Sequence, residues 1–172
     1  MKKFLEVLLP QQTPLVFRAF SHQGKSDLKN SIAKKLRALN APDVTFVILI
    51  DQDSNNCHAL KAEIQAICHT VPQAQCVVRI VCHELEAWYL GDLTAVDIAF
   101  GKNMARHQDK KSFRDPDNNT PNAKQLLHKY IGTKKQIDTA EKMANAMSKT
   151  SIAQNRSYSF QVFIKTLPFP LA

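Results

Sequence analysis

Several features that define common protein classes are absent from this sequence. Its apolar runs all fall short of the roughly 20 residues that a transmembrane helix needs, so we expect no membrane partner. Residues 1–9 do not predict a signal peptide, because Glu6 and Pro10 interrupt the apolar region and no small-residue cleavage site follows. They predict an amphipathic helix with one apolar face made of Phe4, Leu5, Leu8 and Leu9. A cytoplasmic protein is the expectation.

Cysteine is scarce, and the four cysteines (Cys57, Cys68, Cys76 and Cys82) are too scattered for a disulfide-stapled fold. This usage favours a reducing compartment, in which Cys76 and Cys82 pack as small apolar side chains of a strand. The dipeptides Cys57-His58 and Cys82-His83 give a weak zinc hypothesis. It is weak because adjacent residues on a helix point about 100° apart, whereas the paired ligands of structural zinc are spaced to reach one ion.

Motifs of well-known catalytic and nucleotide-binding sites are missing as well. The chain has no dinucleotide fingerprint, and no Ser/His/Asp or Cys/His arrangement has a catalytic spacing. Gly24-Lys25-Ser26 is not a phosphate-binding loop, because Ala19 stands where that motif requires a glycine. We expect Gly24 to form a left-handed turn, and Lys25, near a helix amino terminus, to contact a phosphate or a carboxylate of the site.

Positive charge is in excess. The chain carries 23 Lys and Arg against 15 Asp and Glu, a net charge of +8, which favours polyanionic partners and nucleic acid first. A well-solvated surface explains the same charge. The segment 110–117 is basic with one aromatic residue, and it fits either a contact to a nucleic-acid backbone or a solvated loop.

The 172 residues suggest one domain with room for a hydrophobic core. The predicted elements of the first half are a strand at 15–20, a helix at 26–39 with Ser26 as N-cap, a strand at 44–50, a helix at 55–69 and a strand at 75–82. Because strands and helices alternate, we predict an α/β fold with a three-layer parallel sheet flanked by helices.

The pattern changes after Gly91. Residues 92–100 predict a helix, residues 101–122 are polar, and the chain from Pro121 to about Leu167 predicts helices with pauses near Gly132 and at 151–157. We therefore predict a single domain of residues 1–172, with an α/β core at 1–100 and a mostly helical C-terminal elaboration at 101–172.

The junction at Asp51 and Asp53 is the most informative feature. The apolar run 44–50 predicts a strand buried on both faces, and ligands of open α/β sheets bind at the carboxyl ends of such strands. Two carboxylates there, one residue apart, have the oxygen donors that a hard cation prefers. The alternative is that Asp51 and Asp53 start a turn and cap the next helix.

A second acidic pair, Glu84 and Glu86, follows the predicted strand at 75–82. If this strand is parallel to the Asp51 strand, both pairs lie at the same rim of the sheet, where a cation relieves their repulsion. Alternatively, the two glutamates belong to the first turn of a helix, which its dipole favours. On a helix they diverge by about 200°, so one of them faces the site, and we prefer Glu84.

Several segments, in order, resemble one family. They are residues 23–28 (QGKSDL), 50–53 (IDQD) with Cys57, Leu60 and Lys61, 84–92 (ELEAWYLGD), 113–117 (FRDPD) and 155–160 (NRSYSF). The chain resembles an uncharacterised bacterial family of Toprim-like fold, related to the overcoming-lysogenization-defect nucleases and often associated with ATPase partners in phage defence. The resemblance covers about residues 23–163, and Glu-Leu-Glu-Ala-Trp is its most specific part.

The resemblance implies a parallel sheet flanked by helices and metal-dependent phosphoryl transfer on nucleic acid. In that scheme Asp51 and Asp53 hold Mg²⁺ or Mn²⁺, and Glu84 or Glu86 serves a second ion, so that two ions clamp a phosphodiester. Lys25, Lys61 and Arg156 are candidate phosphate contacts.

The sequence departs from the family pattern at its start. The family's first strand ends in a glutamate just before the first helix, whereas here the chain begins inside that helix, so we expect the first strand to be missing. Glu6 is a poor substitute because it lies more than a turn further on and faces solvent. Two hypotheses follow: a metal-dependent nuclease of phage defence, or a non-catalytic Toprim-like module that binds nucleic acid or an ATPase partner.

Overall fold

The computed structural model describes residues 1–132, 136–150 and 152–167, and it shows a mixed α/β protein that is mostly helical. The helices are α1 (Lys2–Leu8), α2 (Lys25–Leu39), α3 (Cys57–His69), α4 (Leu85–Leu90), α5 (Leu93–Phe100), α6 (Lys111–Arg114), α7 (Pro116–Asn119), α8 (Ala123–Ile131), α9 (Gln136–Met147) and α10 (Tyr158–Ile164). The strands are β1 (Thr45–Asp51) and β2 (Gln75–Val81).

The chain forms two compact units. One, here called the sheet unit, is Ser21–Val81; the other, the helical unit, is Met1–Phe20 with Cys82–Ala172. The boundary predicted near residue 100 therefore lies inside the helical unit.

The sheet unit is built around two parallel strands. Residues of β1 and β2 pair in register from Thr45 opposite Gln75 to Asp51 opposite Val81, and α3 makes the crossover that parallel strands require. Alternate residues of each strand pack with α2 and α3 into one core, whose buried members are Ile32, Leu36, Ile48, Ile50, Leu60, Ile64, Cys68, Val71 and Val78. The predicted parallel sheet flanked by helices is thus confirmed in its coarse form.

The strand predicted at residues 15–20 is wrong. Residues 15–20 form no strand, and the sheet of the described residues has two strands. Val16 is 99% exposed, and the rings of Phe17 and Phe20 are also exposed. A segment of β-prone residues forms a strand only where a neighbouring backbone pairs with it. Whether such a backbone lies nearby depends on the whole fold and cannot be derived from the six residues themselves.

The burial of β1 also differs from the prediction. Ile48 and Ile50 are buried, whereas Val47 and Leu49, on the other face, are only half-buried. An apolar run of this length does not distinguish a strand buried on two faces from one buried on a single face.

The two helices of the sheet unit agree with prediction to within two residues, but their amino ends differ in detail. Gly24, with φ 99°, is the N-cap of α2, so the left-handed turn is confirmed and the predicted capping by Ser26 is wrong. A glycine suits this position because other residues rarely adopt positive φ.

The helical unit confirms the predicted amphipathic amino-terminal helix and the helical C-terminal part. Phe4, Leu5 and Leu8 of α1 are buried, and Glu6 is exposed. The ring centroid of Phe4 lies 6.2 Å from that of Trp88 and 5.2 Å from that of Tyr89. The predicted pause near Gly132 is the left-handed end of α8; Ser151, in the second predicted pause, lies outside the described residues.

No helix in the described ranges combines the length and the apolar character needed to cross a bilayer.

Two cysteines of the sheet unit are in contact. The Sγ atoms of Cys68, at the end of α3, and Cys76, in β2, lie 2.8 Å apart, and both cysteines are free thiols. Burial raises the pKa of the Cys76 thiol to about 12, and the hydrogen bond with Cys68 acts in the same direction. Cys76 therefore behaves as the small apolar side chain that the sequence predicted.

Because the thiolate is the nucleophile, we expect iodoacetamide to label Cys76 slowly at pH 8 in the folded protein. The raised pKa leaves less thiolate at pH 8 than in the urea-unfolded chain, so we expect labelling to be slower by at least about tenfold. Mass spectrometry of the Cys76 peptide over time gives both rates. Equal rates in the folded and unfolded protein would contradict the raised pKa of this thiol.

Candidate functional site

Asp51 and Asp53 lie where the sequence predicted, at the carboxyl end of a parallel strand. Asp51 is the last residue of β1, and Asp53 follows in the turn that leads to α3. The backbone of Asp53 has φ 51°, a left-handed conformation that is uncommon outside glycine. Its side chain is 58% exposed. The turn therefore presents one carboxylate to solvent directly beyond the end of the sheet.

Neither aspartate caps the next helix. Asn56 is the N-cap of α3, and its side-chain oxygen accepts hydrogen bonds from the backbone N–H groups of His58 and Ala59, each at 3.0 Å. The capping alternative for Asp51 and Asp53 is thus wrong, because a third residue already satisfies those donors. The interaction of each carboxylate therefore lies elsewhere than at the start of α3.

Lys25 supplies that interaction for Asp53. Its ammonium, at the amino end of α2, lies 2.8 Å from Asp53 Oδ2 and donates a hydrogen bond of 3.0 Å to the carbonyl oxygen of Gln52. Of the two contacts considered for Lys25, the structure shows the one to a carboxylate. Lys61, the other candidate lysine of this unit, lies in α3, and its ammonium forms no ion pair with a described residue.

Glu84 lies in the helical unit, where it supports a helix. It is the N-cap residue of α4, and its Oε2 accepts a 3.0 Å hydrogen bond from the backbone N–H of Lys124. Lys124 is in the first turn of α8, whose own N-cap residue, Asn122, provides no side-chain acceptor. The carboxylate therefore satisfies a donor that the helix cannot satisfy itself.

Glu86 lies in the first turn of α4 and is 8% exposed. Burial raises the pKa of its carboxyl above the ordinary value, and the nearby Glu84 adds to that rise, while Lys124 and His128 act against it. The two glutamates thus lie at the start of a helix, which agrees with the alternative that they belong to a first helical turn. Of the two side chains, that of Glu84 is the more exposed.

No group of three or more His, Cys, Asp and Glu side chains arranged to hold a metal occurs among the described residues. Neither the aspartate pair nor either Cys-His dipeptide of the zinc hypothesis belongs to such a group. A two-carboxylate site still suits magnesium, which proteins often bind through one or two carboxylates, with waters and substrate phosphates completing the coordination. The donor chemistry of Asp51 and Asp53 fits such an ion.

Arg156 is held by the helical unit. Its Nη1 donates to the carbonyl oxygen of Gln108 at 2.8 Å and to Asp109 Oδ1 at 2.9 Å. Its Nε and Nη2 donate to no described residue, so part of the guanidinium is available to a ligand. It borders a cleft of about 330 Å³, lined by Gly91, Asp92, Thr94, Gln108, Gln154 and Arg156.

The sequence did not reveal the role of Asp117. This buried carboxylate accepts hydrogen bonds from Ser157 Oγ at 2.7 Å and from the backbone N–H of Ser159 at 2.6 Å. Ser159 Oγ in turn accepts a 2.9 Å hydrogen bond from Trp88 Nε1. The available signal was the cap-like start of the 155–160 segment; Ser157 is indeed the N-cap of α10.

Gly91 has no side chain, which allows the segment 155–157 to lie close to its backbone. Asn155 Nδ2 donates to the carbonyl oxygen of Trp88 at 2.8 Å, and the Arg156 N–H donates to that of Gly91 at 2.9 Å. A Cβ on Gly91 would lie 2.1 Å from Asn155 Oδ1 and 2.8 Å from the Ser157 nitrogen. Three of the segments that carry the resemblance, 84–92, 113–117 and 155–160, thus contact one another in the helical unit.

The fold and the site define a mostly helical α/β protein with a carboxylate pair at the end of a two-stranded parallel sheet. The chain belongs to the family described as a domain of unknown function, DUF4276, whose model matches residues 1–168. Comparisons with curated proteins and with solved structures found no match.

The close approach at Gly91 predicts that Gly91→Ala destabilises the protein by about 3 kcal/mol, because the new methyl group overlaps a backbone atom. The backbone is not the cause, since Gly91 has φ −67°, which alanine adopts readily. Gly101→Ala is the control: nothing lies within 4 Å of its Cβ position, so only its left-handed φ costs about 1 kcal/mol. Urea unfolding measures both, and equal losses would refute the steric explanation.

Asp117→Ala removes the carboxylate that accepts from two buried donors, so we expect a loss of about 3 kcal/mol in the free energy of unfolding. Asp115→Ala is the comparison, because the Asp115 carboxylate caps α7 at a half-buried position, and a lost cap costs about 1 kcal/mol. The two variants remove the same charge two residues apart. A smaller loss for Asp117→Ala than for Asp115→Ala, by chemical denaturation, would contradict the buried network.

Proposed function

We propose that this protein performs metal-dependent phosphoryl transfer on nucleic acid, as a nuclease. The observation that carries the proposal is the pair Asp51 and Asp53 at the carboxyl end of a parallel strand, where neither residue is needed as a helix cap. The carboxyl ends of parallel strands are the usual ligand sites of α/β folds. The resemblance to Toprim-like nucleases supports the same assignment.

In this proposal Asp51 and Asp53 hold Mg²⁺ or Mn²⁺. The bound ion would neutralise charge on the phosphodiester and polarise it for attack. The Lys25 ammonium lies 2.8 Å from Asp53 Oδ2 and so orients this carboxylate. Its positive charge would also stabilise a substrate phosphate bound at the ion. The 58% exposure of Asp53 leaves room for an extended substrate to approach.

The assignments of Glu84 and Glu86 as further acidic residues, and of Lys61 and Arg156 as phosphate contacts, stay predictions. The hydrogen bond of Glu84 to α8 and the burial of Glu86 give both glutamates structural roles as well. On the resemblance alone, we extend the proposal to a Toprim-like relationship and to phage defence together with an ATPase partner.

The decisive variant is Asp51→Asn, which keeps the size of the side chain and removes its charge. We expect magnesium- or manganese-dependent cleavage of plasmid and single-stranded DNA to fall at least about 10²-fold, as for loss of an electrostatic catalytic group. Asp43→Asn is the matched control, because Asp43 is an exposed aspartate that precedes β1 and lies at the opposite end of the strand. Calorimetric titration with Mn²⁺ gives a second readout, in which Asp51→Asn but not Asp43→Asn loses binding. Equal cleavage by the two variants would refute the metal assignment.

The second candidate is a non-catalytic module that binds nucleic acid or an ATPase partner. The ion pair of Lys25 with Asp53 favours it, because an ammonium there already neutralises one carboxylate without a metal. Salt-sensitive DNA binding by the unaltered protein, with no Mn²⁺ uptake and no cleavage, would establish this function instead of the nuclease.

A further inference from the structure

Half of the net charge of the chain lies in thirteen residues. Residues 102–114, here called the basic segment, contain one carboxylate, Asp109, and one histidine, and their net charge is +4 of the total +8. The five cations are Lys102, Arg106, Lys110, Lys111 and Arg114. All five are exposed, and none forms a salt bridge with a described residue.

The single carboxylate of the basic segment does not offset these cations. Asp109 is 92% exposed, and its ion pair is with Arg156. The pKa of His107 is lowered first by desolvation and then by the positive charges of Lys110 and Arg106, while the carboxylate of Asp97 acts against this shift. Both cations therefore act on one neighbourhood of the segment.

The basic segment has a defined shape although it is mostly irregular. Met104 and Phe113 are buried at its two ends. The carboxylate of Asp97 accepts hydrogen bonds from the N–H groups of Met104, at 2.5 Å, and of Ala105, at 2.9 Å. Gln108 Nε2 donates to the carbonyl oxygen of Phe113 at 3.2 Å. A partner thus meets cations on an ordered backbone, which lowers the entropic cost of binding.

The aromatic residue of the segment is not available to a nucleobase. Phe113 is buried, and its ring packs edge-on against Tyr130 at a centroid distance of 6.1 Å. Stacking on bases, which gives single-strand-binding proteins much of their affinity, is therefore not offered here. The exposed groups are cations, whose natural partners in nucleic acid are backbone phosphates.

We propose that the basic segment is a nucleic-acid contact surface that binds the phosphodiester backbone with little dependence on base sequence. The inference rests on the proposed function for the choice of nucleic acid as partner, but it does not require cleavage. An anionic membrane is less suitable, because the two large apolar side chains of the segment, Met104 and Phe113, are buried and neither is presented for insertion into a bilayer.

The test is a double variant, Lys110→Gln with Lys111→Gln, assayed in EDTA so that cleavage cannot contribute. Fluorescence anisotropy with duplex DNA, duplex RNA and single-stranded DNA, each at several salt concentrations, gives affinities and salt slopes. For duplex DNA we expect at least about tenfold weaker binding at 100 mM salt and a slope smaller by about 2, since each lost phosphate contact reduces the slope by about 0.9. Two unrelated duplex sequences should bind within about twofold of each other.

The matched control is Lys129→Gln with Lys149→Gln, which removes two exposed lysines from α8 and from the residues after α9. It makes the same change in net charge, and we expect its affinity to stay within about twofold of the unaltered protein. Equal weakening by both double variants would overturn the inference, because total charge would then explain the binding. Preferential loss of binding to anionic vesicles, with nucleic-acid binding unchanged, would overturn it as well.

The two proposals fail separately. Asp51→Asn should keep its affinity for nucleic acid in EDTA, because Asp51 is not part of the basic segment. If no cleavage is found but the Lys110 and Lys111 variant alone loses binding, the nuclease proposal fails and the contact surface stands. If cleavage depends on Asp51 and the Lys110 and Lys111 double variant binds normally, the contact-surface proposal fails and the nuclease proposal stands.

Discussion

The buried carboxylate of Asp117 is the interaction on which the helical unit depends. It accepts hydrogen bonds from the side chain of Ser157 and the backbone of Ser159, and Ser159 then accepts from the indole of Trp88. Trp88 is itself fully buried and stacks on Phe163 at a centroid distance of 5.3 Å. A buried donor without an acceptor costs about 1–3 kcal/mol. Since Ser159 links Asp117 to Trp88, loss of the carboxylate disturbs both these hydrogen bonds and the aromatic packing around Trp88.

The elements of the sheet unit were predictable because their signals are local. Apolar periodicity predicted α2, α3, β1 and β2 to within about two residues. The strand predicted at 15–20 failed for a reason that the same periodicity cannot detect, since pairing depends on a distant backbone. The buried network was equally beyond sequence reasoning: Asp117 and Ser159 are 42 residues apart, and only the fold brings them into contact.

At the candidate site, the sequence predicted the position of the residues better than their partners. Asp51 and Asp53 follow directly from the end of an apolar run, so their place at the carboxyl end of β1 was predictable. The sequence did not decide whether these aspartates cap α3, because Asp and Asn are nearly equivalent N-cap residues. Only the structure shows that Asn56 is the N-cap of α3. The contact of Lys25 with Asp53 similarly depends on how α2 packs beside the strand end.

Four carboxylates of the motif segments differ in how the fold uses them. Those of Asp117 and Glu84 accept backbone N–H groups within the helical unit, and Glu86 is buried, so each is committed to the fold. Asp53 differs, because its side chain is largely exposed, its backbone is left-handed, and its contact is an exchangeable lysine. Asp53 therefore caps no described helix, which is what the proposed metal site requires of it. This contrast directs the functional interpretation to the end of β1 rather than to the more conspicuous glutamate pair.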